Sequence, residues 1–170
     1  MEVMKAIRER YSCRAYRSNP VEKEKLEQIL EAARLAPSAR NLQDWRFVVV
    51  TDEQKRKELA AMACKQPFIG QAPVVIAACS VSNYVMGCGQ PVAPIDVSIA
   101  LEHMVLEAVS LGLAACWIGS FSPQKVRQIL HIPAEVIVVE LLTLGYPADE
   151  PKHTDRLPIN QIASFNKWSF

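Results

Sequence analysis

The sequence predicts an α/β fold, in which helices alternate with strands along the chain. Apolar runs with many β-branched residues, at 73–80 and 136–144, are separated by segments with helical spacing of apolar residues. The chain has 170 residues, half of them hydrophobic and 22% charged, which is typical of a globular protein rather than a disordered or fibrous one. One domain over residues 1–170 is expected, because no repeat, low-complexity tract or long linker is visible. Periodicity leaves the order of the strands open.

The first half of the chain is predicted to form two helices, one strand and a third helix. A short helix is expected over residues 2–9, and a second begins where Asn19 can cap it and ends at Pro37. The run at 45–51 is rich in valine and aromatic residues and predicts a strand. Asp52 follows it and can cap the third helix.

The second half of the chain is predicted to contain the remaining three strands. These cover 73–80, 114–117 and 136–144. Between the last two, Ser122 can cap a helix that begins at Pro123, because proline fits the first turn. The tail that follows is rich in proline and is expected to be mostly irregular.

A helix predicted over residues 95–111 is apolar on nearly all sides, and Gly112 ends it. Two explanations stay open for this composition. The helix crosses the middle of a single core, or a second copy of the chain covers the side that a 19.0 kDa domain leaves bare. It is a poor candidate for a membrane span, because it contains Asp96, Glu102, His103 and Glu107.

Charge and cysteine content exclude several classes of protein. The formal net charge is only +1, which argues against a dedicated nucleic-acid binder. The five cysteines show no CxxC spacing, so a zinc ribbon is not expected, and Cys79 and Cys116 lie in apolar runs typical of the core. Neither a signal peptide nor a metal site is expected, and a reducing, cytoplasmic setting is the simplest interpretation.

The segment Arg10-Tyr11-Ser12-Cys13-Arg14 can form an anion site. Two guanidinium groups and a hydroxyl within five residues can converge on one phosphate. The alternative interpretation is a solvated basic loop, which composition alone favours.

The segment 37–45 joins the second predicted helix to the first strand. Ser38, Asn41 and Gln43 carry donors and acceptors on short stems, which suit the edge of a planar heterocycle. The alternative is that these side chains satisfy backbone groups of a turn.

Two later loops are weaker candidates. In the segment 116–121, Gly119 lets the backbone approach a ligand closely, and a free N–H there could face a reacting atom. In the segment 152–158, Arg156 could be a second phosphate contact, although a solvated tail is the usual reading of such a stretch.

Several familiar motifs are missing from the sequence. It contains no GxGxxG, GxxxxGK[ST], GxSxG or HExxH pattern, so a standard dinucleotide fold, a P-loop and two common hydrolase sites are not predicted. His103 is interpreted as a buried or interface histidine rather than a ligand.

Taken in order, the segments 10–14, 31–45, 112–121 and 144–158 resemble the nitroreductase family of flavin enzymes, over about residues 3–168. The resemblance implies an α+β fold with a central, mainly antiparallel or mixed sheet flanked by helices, in an intertwined homodimer that holds FMN at its interface. It also implies ping-pong hydride transfer from NADH or NADPH through flavin N5 to a small electron-poor acceptor, such as a nitro compound or a quinone.

The resemblance carries a set of cofactor-binding positions, namely Arg10, Tyr11, Ser12, Arg14, Pro37, Ser38, Ala39, Asn41, Gln66, Ile118, Gly119 and Arg156. Arg10 and Ser12 would meet phosphate or ribityl oxygens, and Arg14 would lie at the pyrimidine edge of the ring. No side-chain acid or base is implied as catalytic, and Arg14 and Gly119 are candidates for tuning the flavin.

The remaining positions complete the site from other elements. The segment 37–41 usually comes from the partner subunit, Gln66 stands where a ring-contacting amide is common, and Arg156 matches a phosphate contact. Ile118 and Gly119 match the loop beside flavin N5.

Two departures from the family pattern bear on the substrate. Asp44 replaces the proline of an NxQPW motif, and the chain lacks the insertions that shape the substrate pocket of longer members. The function expected is therefore an FMN-dependent oxidoreductase with an unnamed acceptor. A flavin-binding carrier or electron-transfer module without turnover, and an interaction domain without flavin, are the alternatives.

Overall fold

The computed structural model describes residues 2–151 and 154–170, which form four strands and six α-helices. The strands are β1 (Trp45–Val50), β2 (Val74–Ser80), β3 (Ala114–Ile118) and β4 (Ile137–Gly145). The helices are α1 (Val3–Glu9), α2 (Lys23–Arg34), α3 (Glu53–Glu58), α4 (Pro67–Gln71), α5 (Val92–Ser110) and α6 (Pro123–Leu130). A π-helical turn at Leu59–Cys64 continues α3, and short 3-10 turns lie at Ala39–Asn41 and Ile159–Gln161.

The sheet has the strand order β1-β2-β4-β3, and each pair of neighbours is antiparallel. The α/β fold predicted from periodicity is therefore wrong, because an α/β protein has a mainly parallel sheet. The α+β fold implied by the resemblance is confirmed. Alternation of helices and strands along a sequence says nothing about strand direction. Here the connections from β1 to β2 and from β3 to β4 join strands that run in opposite directions, whereas α5 joins β2 to β3, which run in the same direction on either side of β4.

The first segment after α1 extends the sheet beyond its β3 edge. The Cys13 N–H donates to the carbonyl of Ala115 at 3.1 Å, and Ser12 forms an isolated parallel bridge with the same residue. Further along, the Tyr16 hydroxyl lies 2.9 Å from the Cys13 carbonyl and 2.8 Å from the Thr143 hydroxyl. These bonds fix the backbone of residues 12–16 on the sheet.

Helices cover both faces of the sheet. On one face, α2 and α5 pack on β2 and β4 through fully buried side chains such as Ile29, Leu101 and Leu142. On the other face, the π-helical turn, α4 and α6 form a second cluster around Leu59 and Leu141. Each buried side chain of this kind stabilises the fold by about 1.5–3 kcal/mol relative to an exposed one.

Helix α5 crosses the first of these clusters within a single chain. Nine of its 19 residues are buried, six of them in that cluster, so the explanation of a helix in one core holds for about half of the helix. A strip on its remaining side, which includes Ile95, Ile99 and Leu106, is only partly covered. None of the helices in the described ranges is long and apolar enough to cross a membrane.

Element boundaries follow the local chemistry with two exceptions. The predicted caps are confirmed at Asp52, which accepts from the Lys55 N–H at 2.8 Å, and at Ser122. The predicted cap at Asn19 is wrong, because Val21 packs against the core in an extended stretch and α2 begins only at Lys23. Helix α4 was not predicted, since its five residues are too few for periodicity to be visible.

Candidate functional site

A cavity of about 460 Å³ lies against the segment that follows α1. Its lining consists of Arg10, Tyr11, Ser12, Arg14, Asp149, Thr154 and Arg156. Three guanidinium groups face one carboxylate, so the cavity carries a positive charge. The structure thus brings together the predicted segment 10–14 and Arg156 from the far end of the chain. Lys152 and His153, which belong to the same predicted segment as Arg156, lie outside the described residues.

The backbone at this cavity is held from two sides. Arg10 ends α1, and its Nε lies 4.0 Å from Oε1 of Glu102 on α5. The Tyr11 hydroxyl donates to the Asp149 carbonyl at 3.3 Å, which connects the segment to the chain beyond β4. Burial raises the pKa of the Tyr11 phenol, so this hydroxyl stays a donor at neutral pH.

Glu102 is a residue of this site that the sequence did not reveal as functional. Burial raises the pKa of its carboxyl group, and the Arg10 guanidinium acts in the opposite direction. A half-buried carboxylate behind Arg10 limits the positions that this guanidinium can take. The sequence feature that could have indicated a functional role for Glu102 is its charge within an otherwise apolar helix.

The cavity also contains an acceptor without a donor. Oδ1 of Asp149 is buried and has no hydrogen-bond partner among the described residues. Opposite it, the Arg156 guanidinium donates to the Thr154 hydroxyl at 2.7 Å, which holds Arg156 in the exposed chain at the rim. Positive groups combined with an orphaned acceptor suit a ligand that carries both a phosphate and hydroxyl groups. Asp149 has no sequence motif that could have predicted it.

The second predicted segment, which contains Pro37, Ser38, Ala39 and Asn41, lies elsewhere. None of these four residues lines the cation-lined cavity of the described chain. The segment forms one 3-10 turn in which Arg40 and Asn41 have φ values of 52° and 55°. Left-handed backbone is uncommon for residues other than glycine, and it persists only where the surroundings fix it.

Two hydrogen bonds fix the backbone of this segment. The Gln43 N–H donates to the Ser38 hydroxyl at 3.0 Å, which closes the turn. The Ala39 N–H donates to Oδ2 of Asp96 at 3.0 Å, and Asp96 is only 2% exposed near the start of α5. The Ser38 hydroxyl therefore satisfies a backbone group of the turn, as in the alternative interpretation of this segment. Asp96 is a second residue that the sequence placed in α5 without revealing its role.

Asp44 directly follows the second segment, in the place of the family's proline. It is 4% exposed, and one carboxylate oxygen accepts a hydrogen bond from the Ser80 hydroxyl. Its Oδ1 has no partner among the described residues. Asp44 thus fixes the start of β1 to the end of β2. The buried carboxylates of Asp96 and Asp44 therefore hold the second segment and the chain that directly follows it.

The third predicted segment, 116–121, contains Gly119, and Gln66 from the start of α4 lies next to it. The Gln66 side-chain amide donates to the carbonyl of Ser120 at 3.4 Å, at the end of β3. A Cβ built on Gly119 would lie 3.7 Å from the Glu140 carboxylate, which is an ordinary contact, and the Gly119 backbone is not left-handed. The folded chain itself therefore does not require glycine here, and close approach of a ligand remains the reason for one.

Glu140 is a further residue at this loop that the sequence did not single out. Its Oε1 is buried without a partner among the described residues, and burial raises the pKa of its carboxyl group. The adjacent β3 strand contributes Cys116, which is buried as predicted, and burial raises the pKa of its thiol. Cys79 is also buried, with the pKa of its thiol raised to about 11. Both cysteines are therefore unreactive core residues at neutral pH.

His103 lies on α5 and is half-buried. Its Nδ1 is 3.2 Å from the carbonyl of Ala32 on α2. Within residues 2–151 and 154–170, no three His, Cys, Asp or Glu side chains are grouped as metal ligands.

Comparison with known proteins identifies the family. The sequence model of the nitroreductase family matches residues 7–65 and 59–146, which is most of the chain. The chain belongs to the nitroreductase family. The resemblance based on four short segments is confirmed.

Individual members of the nitroreductase family match nearly the whole of this chain and 70% or more of their own length. An FMN reductase [NAD(P)H] of Bacillus subtilis is 33% identical over 92% of this chain and 70% of its own. The crystal structure of a nitroreductase family protein of Clostridium difficile 630 is 32% identical, with a TM-score of 0.90 over 99% of this chain and 100% of its own. An FMN-dependent nitroreductase of Clostridium difficile R20291 is 30% identical, with a TM-score of 0.84 over 97% and 99%. The names of these relatives include FMN and NAD(P)H, which are the two ligands expected for this chain.

The residues of the cation-lined cavity fit FMN. Its phosphate is a dianion, which suits the guanidinium groups of Arg10, Arg14 and Arg156. Its ribityl chain carries hydroxyl donors, which suit the orphaned oxygen of Asp149. The missing GxGxxG motif argues against a second phosphate group of the FAD type.

Proposed function

We propose that this protein is an FMN-dependent oxidoreductase that takes a hydride from NADH or NADPH and passes it to a small electron-poor acceptor, such as a nitro compound or a quinone. The observation that carries the proposal is the cavity of about 460 Å³ with three guanidinium groups and an orphaned carboxylate oxygen. Family membership and the named cofactors of the relatives support the same conclusion. The whole of residues 1–170 is proposed to act as one FMN-binding domain.

The chain's own residues bind and orient the cofactor. Arg10, Ser12 and Arg156 would hold the phosphate and the nearby ribityl oxygens, because all three line one cavity. Each charge-assisted hydrogen bond of this kind is worth about 1.5–3 kcal/mol. Bound FMN supplies the two-electron chemistry, which explains why no catalytic histidine or carboxylate constellation is needed.

Two residues are proposed to tune the reacting ring. A guanidinium at the pyrimidine edge, from Arg14, favours the negative charge that reduction adds there. The Gly119 backbone leaves room for a planar ring, because among the described residues only the Glu140 carboxylate comes within 4 Å of the place of a Cβ. Ile118, Gly119 and Gln66 would form the wall beside the reacting edge.

We propose that the working form is an intertwined homodimer. The tail beyond the cavity exposes six large apolar side chains, namely Leu157, Ile159, Ile162, Phe165, Trp168 and Phe170. Phe165 and Trp168 are 87% and 84% exposed, which is a large apolar surface for an isolated chain. A second copy would cover this tail and the bare strip of α5, and would bring its own segment 37–41 to the cavity.

A reducing, cytoplasmic setting is proposed on the cysteines. All five are free thiols. With a formal net charge of +1, the expected partners are a small-molecule acceptor and a second copy of the chain rather than nucleic acid.

The first test is the absorbance spectrum of the purified protein. A yellow protein that releases about one FMN per chain on denaturation is expected. A colourless protein that does not bind added FMN in a fluorescence titration would refute the proposal.

The second test separates an enzyme from a flavin carrier. Steady-state oxidation of NADH and NADPH is measured with a nitroaromatic or a quinone as acceptor. Multiple turnovers are expected, whereas a flavin-loaded protein that oxidises neither reductant would be a binding module.

A further inference from the structure

A second cavity of about 440 Å³ lies between the π-helical turn that follows α3 and the short helix α4. Its lining consists of Lys57, Ala60, Ala61, Lys65, Gln66, Pro67, Gly70 and Gln71. It shares no lining residue with the cation-lined cavity. Except for Gln66, none of its residues has a role in the proposed cofactor site.

The walls of this second cavity are small and mostly apolar. Half of the lining residues are alanine, proline or glycine, and Gly70 lies next to Ala60, since a Cβ built on it would be 3.4 Å from Cβ of Ala60. These residues have no long side chain that could fill the slot, so this part of its wall is set by the backbone. A slot with apolar walls and amide groups at its edge fits a planar heterocyclic base.

Two lysines give the rim a positive charge. Lys57 is paired with Glu53, with 2.5 Å between Nζ and Oε1. Lys65 has no carboxylate within ion-pair distance among the described residues, and its backbone is left-handed with a φ of 55° directly after the π-helical turn. Lys65 is thus the cation at this rim that is available to a phosphate group.

Gln66 connects the second cavity to the proposed reaction site. It lines the cavity, and its side-chain amide donates to the carbonyl of Ser120 at 3.4 Å, next to Gly119. A dinucleotide that presents its nicotinamide ring at Gly119 must lay the rest of its length over the neighbouring surface. The second cavity begins at that point.

We propose that the second cavity binds the adenosine end of the reductant, and that Lys65 contacts the 2′-phosphate of NADPH. The adenine would enter the slot between Ala61 and Pro67, with Gln71 at its polar edge. NADPH is then preferred over NADH, which lacks this phosphate. The inference rests on the proposed oxidoreductase function and adds the choice of reductant to it.

The test compares three hydride donors on the FMN-loaded protein with one acceptor. These are NADPH, NADH and 1-benzyl-1,4-dihydronicotinamide, which has no adenosine. Lys65→Met removes the rim charge, Ala61→Trp fills the slot, and Lys55→Met removes an exposed lysine of α3 that does not line the cavity.

The expected pattern separates charge from shape. Lys65→Met raises KM for NADPH about tenfold, the loss of one charge-assisted contact, and changes KM for NADH less than about twofold. Ala61→Trp raises KM for both dinucleotides and leaves the benzyl compound unaffected. Lys55→Met changes none of the three.

Three results would overturn the inference. Equal changes in KM for all three hydride donors would mean that the substitutions disturb the reaction site itself. Unchanged KM values for both dinucleotides would place the adenosine elsewhere. A shift from dimer to monomer in sedimentation of Ala61→Trp would assign the slot to the second copy of the chain. Wild-type protein that oxidises none of the donors would instead refute the proposed function.

Discussion

The two predicted binding segments, 10–14 and 37–41, are both fixed by hydrogen bonds, but in the described part of the chain only the first lines the cation-lined cavity. The first is pinned to the sheet edge through Cys13 and opens onto the cation-lined cavity. The second is fixed by Asp96 through the Ala39 N–H and lines no part of that cavity. The two segments therefore differ in whether they line this cavity, and not in whether their backbone is fixed. This difference fits the proposed homodimer, in which one chain would supply the phosphate contacts and a second chain would complete the site around the ring.

The largest expected effect comes from removing the aromatic side chains of the tail. Phe165→Ser, Trp168→Ser and Phe170→Ser together should give a monomer, because each aromatic ring buries about 150–250 Å² at an interface. FMN affinity should fall at least about a hundredfold, because only the phosphate contacts of Arg10, Ser12 and Arg156 would remain. Sedimentation velocity and an FMN fluorescence titration measure the two effects.

The control for this change replaces Val81 and Val85, two exposed apolar residues outside the tail, by serine. These substitutions should leave both mass and affinity unchanged. A monomeric tail variant that binds FMN with wild-type affinity would contradict the proposal, because the segment 37–41 of a second copy would then contribute nothing to FMN binding.

Arg10→Ala tests the first segment alone. FMN affinity should fall about thirtyfold, which corresponds to about 2 kcal/mol for one charged phosphate contact. Turnover at saturating FMN should be nearly restored, and Arg8→Ala, on the same helix but outside the cavity lining, should bind as the wild type does. Low turnover with the site filled would contradict a role confined to binding.

Asp96→Ala tests the anchor of the second segment. FMN affinity should fall about tenfold, because the left-handed turn loses the hydrogen bond that holds it. Asp96→Asn keeps an acceptor oxygen and should recover most of the affinity. Asp52→Ala removes the same type of bond from the start of α3, so it should lower stability without changing FMN affinity. Equal effects of the Asp52 and Asp96 substitutions would show that Asp96 acts only on folding.

Mixed dimers sharpen the comparison further. If one copy donates the segment 37–41 to the other copy's cavity, a dimer of an Arg10→Ala chain and an Asp96→Ala chain has one intact site and one doubly impaired site. One of the two sites of each mixed dimer, which is about a quarter of all sites after random exchange of subunits, should therefore regain wild-type affinity. If each chain completes its own site instead, no site is intact and the two sites of a mixed dimer are weakened about thirtyfold and about tenfold.

The smallest expected effect concerns Glu140, beside Gly119 where the two regions would meet on the ring. Burial raises the pKa of Glu140 above its ordinary value of 4.5, so its contribution to stability is present below that value and is lost as the pH rises through the folded-state pKa. Glu140→Gln should raise Tm by about 2–4 °C at pH 7, and the gain should vanish below about pH 4.5. Glu135→Gln, an exposed control, should change Tm little at either pH; a gain that persists in acid would exclude the charge as its cause.

The sequence predicted most of the elements and five of the seven residues that line the cation-lined cavity. Strand runs such as 136–144 were visible because they are apolar and β-branched, and the segment 10–14 because its charges are adjacent in the chain. Strand direction was not predictable, since it depends on contacts between distant segments. Asp96, Glu102 and Glu140 were missed as site residues for the same reason, because each acts through a residue that is distant in the chain. Asp96 contacts Ala39 and Glu102 contacts Arg10, 57 and 92 positions away, and Glu140 lies beside Gly119, which follows the neighbouring strand β3.

The three tryptophans lie in three different environments, and this gives the protein its own optical reporters. Trp45 is 7% exposed in the core, Trp117 is half-buried on β3 near Glu102, and Trp168 is 84% exposed in the tail. Indole emission moves to shorter wavelength as water is excluded, so each residue emits in its own part of the spectrum. A chain that keeps only Trp168 would report the burial of the tail in real time after dilution or mixing, without an added dye.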